Sequence, residues 1–313
     1  MLTTSARAFG IILTTALLTP LLPAGSAQAT SPGRNGVIAW THVTGFTTDA
    51  EVFVIRPDGT GARALTTNDQ NDFNPAWSPD GRRIAYESSS STDVDIYVLD
   101  ARGERNLTND PGHADRHPSW SPDGGRLVFS RQSPFTGLGP LFVIGADGTG
   151  ATRLTSSGSL NEDPAWAPDG SVIAFISDRS GNRDIWTVRP DGTGLRQVTS
   201  TPDIQEAHVD WSPDGARIGY DACRSATFPC PGQAPDYEIV TADPDGTDRV
   251  ALTDVPGIDN NPAWSPDGTK IVFRSDRTGF TQIWVMDADG ANQTQLTTGN
   301  FEGGVDPAWQ PLP

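Results

Sequence analysis

The chain has 313 residues, with 39 Asp and Glu against 22 Lys and Arg and a formal net charge of -17 at pH 7. That balance excludes a nucleic-acid partner held through its phosphates, which would call for clustered lysine and arginine. It favours attraction to cations or to basic patches on other proteins.

Residues 1–29 carry a single charge, Arg7, an apolar stretch around Ile11 to Leu22, and Ala27-Gln28-Ala29 at their end. This is the pattern of a secretory signal peptide cleaved after Ala29. Pro20 and Pro23 interrupt the apolar run, which is too short for a membrane span. The expected product is an exported protein, secreted or periplasmic, with no integral membrane segment. Residues 30–34 form a short lead, and 35–313 read as one domain.

That domain opens with three period-two apolar runs, "NGVIAWTHV", "EVFVIRPDG" and "ARALTT", which predict strands. A repeat follows. Trp77, Trp120, Trp166, Trp211, Trp264 and Trp309 recur at intervals of 43, 46, 45, 53 and 45 residues. Each of the first five is followed by a Pro-Asp-Gly turn, an alternating run such as "RRIAYES" or "SVIAFIS", a loop, a second run such as "DIYVLD" or "DIWTVR", and another turn, usually Asp-Gly. A short strand ending in Leu-Thr or Val-Thr completes the unit. Proline presets one turn angle, and Asp and Gly tolerate the reversal.

Each unit is therefore four antiparallel strands, A to D. The chain starts with strands B, C and D and ends with a lone strand A, "DPAWQP". The predicted fold is all-β: a six-bladed β-propeller of four-stranded antiparallel blades, closed by pairing the C-terminal strand with the N-terminal blade. Closure removes the free sheet edge.

The stretch "PAWSPDG…IAFISDRSGNRDIWTVRPDGTGLRQVT" resembles the TolB-type, WD-repeat-like propeller repeat, and the likeness covers nearly the whole domain. It implies the propeller without the additional N-terminal domain of TolB. Similar blades occur in protein-binding subunits, in prolyl oligopeptidases and in oligogalacturonate lyases, so the resemblance alone does not choose a function. A peptidase would need a separate hydrolase domain and a G-x-S-x-G elbow, and neither is present.

The A-B and C-D turns are uniform and read as structural. The varied B-C and D-A loops share the other end, where binding residues tend to lie. Three residues before each repeat tryptophan stand Asn74, His117, Asp163, His208, Asn261 and Asp306, a polar ring expected at the mouth of the central channel. His117, Asp163 and His208 come from consecutive blades and are the candidate ligands for a divalent metal ion.

One copy departs from the rest. Where the others read Pro-Ala or Pro-Ser before tryptophan, "HVDWSPDG" places Val209 and Asp210, and Asp210 joins the candidate binding residues. The same blade holds Cys223 and Cys230 in an enlarged loop, expected to form a disulfide in an oxidising compartment.

Around this face Asp69, Asp72, Asp115, Glu162, Asp203, Glu206, Asp259 and Glu302 are expected as an acidic rim. Arg131, Arg179, Arg224 and Arg277 should pair with some of them in exposed contacts worth about 0–1 kcal/mol each. The function these features favour is a monomeric, non-enzymatic binding module that takes a protein or basic peptide on its acidic face. The competing reading is a metal-dependent propeller enzyme, such as a polysaccharide lyase, with its His and Asp site at the channel mouth.

Overall fold

Alternating apolar residues flanked by Asp-Gly turns fold locally into hairpins, and the computed structural model contains 24 strands among its described residues. It describes residues 33–43, 50–90, 93–223, 236–298 and 304–313. The expected signal peptide, Arg224, Cys230 and Glu302 lie outside them.

The first blade combines β1 (Arg34–Val43), β2 (Ala50–Ile55) and β3 (Arg63–Ala64) with the last strand, β24 (Gly304–Leu312), which forms its inner edge. The second holds β4 (Asn71–Trp77), β5 (Ile84–Ser89), β6 (Val94–Asp100) and β7 (Gly103–Asn106), and the third β8 (Ala114–Trp120), β9 (Arg126–Gln132), β10 (Leu141–Gly145) and β11 (Thr152–Arg153). The fourth holds β12 (Asn161–Trp166), β13 (Ile173–Ser177), β14 (Asp184–Val188) and β15 (Arg196–Gln197). The fifth is β16 (Gln205–Trp211), β17 (Ile218–Cys223), β18 (Glu238–Ala242) and β19 (Val250–Ala251), and the sixth β20 (Asp259–Trp264), β21 (Lys270–Ser275), β22 (Gln282–Asp287) and β23 (Thr294–Gln295). A single parallel bridge, Val94 to Ala114, joins the second and third blades.

Closure runs through the antiparallel pair β1 and β24, with Ile38 opposite Trp309 and Ala39 opposite Ala308. At the seam Gly81 has φ 64°, and a Cβ there would lie 2.1 Å from the Pro311 carbonyl oxygen. Only glycine fits that turn. Among the described residues no helix is long and apolar enough to cross a membrane.

The threonine that ends each outer strand has a mechanical role. Its Oγ1 accepts an N-H from strand C in every blade: Val52 to Thr66 at 2.9 Å, Ile96 to Thr108 at 3.1 Å, Leu141 to Thr155 at 2.8 Å, Ile185 to Thr199 at 2.8 Å, Ile239 to Thr253 at 2.9 Å and Ile283 to Thr297 at 2.9 Å. The short outer strands, two residues long in every blade but the second, are thereby tied to the sheet by side chains, satisfying backbone donors that the short ladder leaves over.

The core lies between blades. Trp120 and Trp211 are buried, and their indole N-H groups donate to the carbonyls of Ala76 and Ala165 on the preceding blade, at 3.0 and 3.2 Å. Burying an aromatic of this size contributes on the order of 2–3 kcal/mol, so the repeat tryptophans hold neighbouring sheets together and are not displayed for ligand stacking.

Candidate functional site

The ring residues share one backbone feature. Asn74, His117, Asp163, His208, Asn261 and Asp306 have φ of 51°, 53°, 49°, 51°, 53° and 54°. Such left-handed conformations cost an ordinary side chain about 1–2 kcal/mol. In the five complete inner hairpins a register shift between strands A and B falls at this place. The bulge turns the side chain out of the sheet toward the channel axis.

All six side chains line a single cavity of about 140 Å³ at the mouth. Beneath them Pro75, Pro118, Pro164, Pro262 and Pro307 form a collar, completed by Val209. A second cavity of about 210 Å³ continues down the channel and is lined by Asp210 and Ser119. Asp210 therefore stands one layer below the mouth ring, and the other six candidates meet at the mouth.

The ring is wired between blades. Glu87 on β5 and Asp221 on β17, both fully buried, stand behind it. The backbone N-H of His117 donates to Glu87 Oε1 at 2.7 Å, and that of Asn261 to Asp221 Oδ1 at 3.0 Å. The equivalent residue of the fourth blade is Ile176, which has no acceptor; there Asp163 itself receives the N-H of His208, Oδ2 at 3.1 Å. Asn74 also donates to Glu87, and Asn261 to Asp306.

The histidines sit among these carboxylates. His208 Nδ1 lies 2.7 Å from Asp221 Oδ1, and His117 Nε2 lies 3.4 Å from Asp163 Oδ1 and 3.9 Å from Glu87 Oε1. Burial opposes protonation of His208, yet Asp221 and Asp163 outweigh it and raise its pKa to about 10. His117 is raised in the same way, with Asp163 and Glu87 overcoming burial. Burial also lifts Asp306 to about 6 although His208 opposes the rise, whereas His117 and His208 hold Asp163 below the usual range against the effect of burial. At neutral pH the mouth thus offers imidazolium, carboxylate and carboxamide groups side by side.

His117, Asp163 and His208 line the same cavity, where His117 pairs with Asp163 and His208 pairs with Asp221. Among the described residues no group of three or more His, Cys, Asp or Glu is arranged to hold a metal ion. Nδ1 of His117 is buried without a protein partner among the described residues.

The rim differs from its expected form. Asp72, Asp115, Glu206 and Asp259 are buried, with exposures of 0, 1, 0 and 0%. Asp115 accepts from Arg131 at 2.8 Å through each oxygen, Arg277 meets Asp259 at 2.5 Å, and Arg183 pairs with Glu162. Arg179 binds Asn161 in place of an acid. The guanidiniums also lie over strand C aromatics, Arg131 4.7 Å from the Phe142 ring centre, Arg179 5.0 Å from Trp186 and Arg277 4.9 Å from Trp284. The pairs are therefore sunk into the blades because the arginine stems rest on apolar rings. The expectation of exposed, weak pairs does not hold for Arg131 and Arg277. Asp69 and Asp203 remain exposed.

Asp210 has its own contact: Oδ2 accepts the backbone N-H of Trp264 in the next blade at 2.9 Å. Ser119 holds the equivalent place two blades earlier, and its Oγ accepts Trp166 N at 3.3 Å. The anomaly in "HVDW" is an inter-blade hydrogen bond. Glu87 and Asp221 were the residues missed by pattern reading. Their signal was an acid ending the apolar run of strand B, "IAYE" and "IGYD", where other blades carry Ser130, Ile176 and Arg274.

A closed ring of six antiparallel sheets around a channel, with a polar collar set by strained backbone, defines a six-bladed propeller with a candidate binding mouth. The chain belongs to the TolB beta propeller domain family, which matches residues 35–231, more than half of it. It is 29% identical over 224 residues to an uncharacterised protein of Agrobacterium fabrum, a match covering 69% of this chain and 59% of that one. It is 34% identical over 160 residues to the protein TolB homolog of Chlorobium luteolum, covering 51% and 34%. The chain thus spans less than two thirds of the length of either curated relative. The crystal structure of TolB from Acinetobacter baumannii superimposes with a TM-score of 0.76 at 24% identity, over 88% of this chain and 67% of that one, and shows the shared fold.

Proposed function

We propose that this chain is an exported, monomeric binding module, not an enzyme, that captures a protein or basic peptide on the loop face around the channel mouth. The observation that carries the reading is the convergence of six left-handed, non-glycine residues on one cavity. Strain repeated at six equivalent positions is retained where side-chain placement matters. The mixed ring of charges and amides suits the polar groups of a peptide, and exposed Asp69, Asp203 and Asp254 on the same face favour a basic one. Membership of the TolB propeller family supports an interaction role in the cell envelope or exterior.

In this reading residues 1–29 direct export and are removed after Ala29. Cys223, which is buried, forms a disulfide with Cys230; no free cysteine occurs among the described residues.

The test is affinity capture from the producer's envelope and secreted fractions with the mature protein and with a variant changed at His117, Asp163, His208 and Asp210 together. Loss of a specific partner with the fold retained supports the module. Undiminished capture by the folded variant removes it. A stoichiometric transition metal in the purified protein, lost on altering His117 or His208, would favour the metal-dependent enzyme instead.

A further inference from the structure

At the opposite end of the propeller, the A-B hairpins carry a repeated cation. Two residues after the turn glycine stand Arg83 in the second blade, Arg126 in the third, Arg217 in the fifth, and Lys270 in the sixth. The Arg83 guanidinium lies 4.4 Å from the ring centre of Trp120, in the next blade, and Arg126 lies 5.0 Å from that of Trp166. These two lie over the tryptophan of the blade that follows, whereas Arg217 pairs with Asp243 and Asp248 and Lys270 with Asp287.

The fourth blade breaks this pattern at two points. Val172 occupies the arginine position, and Ala167 stands where other hairpins have Ser78, Ser121, Ser212 and Ser265. Both substituted residues line a cavity of about 350 Å³ bounded by Trp211, the tryptophan of the following blade. The space corresponds to the side chain that an arginine at 172 would supply, and its size falls in the lower range of small-ligand pockets.

We infer that this cavity is a binding site for a guanidinium carried on an alkyl stem, which would take the place that Arg83 and Arg126 fill in their own blades. Three features of the wall support that ligand chemistry. Asp169 and Asp214 both line it. Each spends Oδ1 on its own turn, Asp169 on the Ser171 N-H at 2.9 Å and Asp214 on the Ala216 N-H at 3.0 Å, which leaves Oδ2 for a ligand. The aromatic wall suits a planar guanidinium better than an ammonium, because the plane stacks on indole while its edge donates to carboxylates. Arg196 is also on the wall, and its charge lies near Asp245 of the neighbouring turn, so carboxylates still outnumber cations locally. The site is independent of the channel mouth, and the two can fail separately.

The experiment is calorimetric titration of the full mature chain with N-acetyl-arginine amide and with acetyl-Gly-Arg-Gly amide. N-acetyl-norleucine amide serves as the neutral-stem control. Saturable binding of the arginine probes, weakened at least about tenfold by Val172→Arg, is the expected result and corresponds to about 1.4 kcal/mol. That variant places in the fourth blade what the second and third already hold. Should it fail to fold, the double change Asp169→Asn with Asp214→Asn must weaken binding by a similar factor. Tighter binding of the peptide assigns the site to a partner's side chain, and equal binding assigns it to a free small guanidinium. The four-residue mouth variant should bind both probes as the parent does. Absence of saturation, equal uptake of the norleucine control, or unchanged affinity in the folded Val172→Arg protein would overturn the inference.

Discussion

Replacing Asp210 with asparagine changes one charge while keeping an oxygen to accept the Trp264 N-H. Burial raises the Asp210 carboxyl from an ordinary 3.8 to about 6, with the backbone N-H groups of Trp264 and Trp211 opposing the rise. The folded chain therefore holds this proton to higher pH than the unfolded chain does. Stability drawn from that difference is present at pH below 3.8 and is lost as pH climbs through about 6. A gap of about two pKa units corresponds to about 3 kcal/mol. Asp210→Asn should match the parent near pH 4 and exceed it by up to about 3 kcal/mol at pH 8, or about 6–12 °C in Tm for a domain of this size. Urea denaturation of both proteins across that range is the assay. A difference that does not grow with pH, or a variant less stable at pH 8, would refute the claim that the charge on the half-buried Asp210 carboxylate costs more than its two backbone N-H donors return.

Other perturbations test the remaining wiring. His208→Gln should remove a pH dependence of the same sense set at higher pH: the raised imidazole pKa stabilises the fold fully below about 6.5, and that contribution is lost as pH rises through about 10, so the parent's stability advantage over the variant must shrink between pH 7 and 10 in thermal melts. Arg277→Ala leaves Asp259 buried without its cation and strips the cover from Trp284; a loss of about 3–5 kcal/mol by denaturation is expected, and a loss below about 1 kcal/mol would mean the pair behaves as an exposed one. Thr199→Val removes the nearer of two acceptors for the Ile185 N-H, the other being Glu206 Oε2 at 3.2 Å, and a donor to buried Glu206, which should cost about 1–3 kcal/mol and loosen hydrogen-exchange protection in β14 before other strands.

The blades were legible because their signals are local: period-two runs, Asp-Gly turns and the threonine that closes each outer strand. Closure followed from counting strands at the two ends, and the polar ring from its fixed offset to tryptophan. What stayed hidden was contact between blades. Glu87 and Asp221 meet Asn74 and His208 within their own hairpins, but they link neighbouring blades only when His117 and Asn261, 30 and 40 positions away, are brought beside them, and no local pattern encodes that link. The left-handed backbone was equally hidden, since a residue before proline is ordinarily extended. Charge alone also misled at the rim, where Asp115 and Asp259 are drawn inward by arginines resting on Phe142 and Trp284. Asp210, singled out as an irregular residue, lies on the channel wall below the mouth.

Docking of a partner at the channel mouth is the central claim. Hydrogen exchange of the mature protein, free and bound to the partner it captures, should show new protection concentrated in the inner-strand starts around Asn74, His117, Asp163, His208, Asn261 and Asp306 and in the loops beside them. Protection confined to the Asp-Gly turns at the opposite end, with the mouth unchanged, would contradict it.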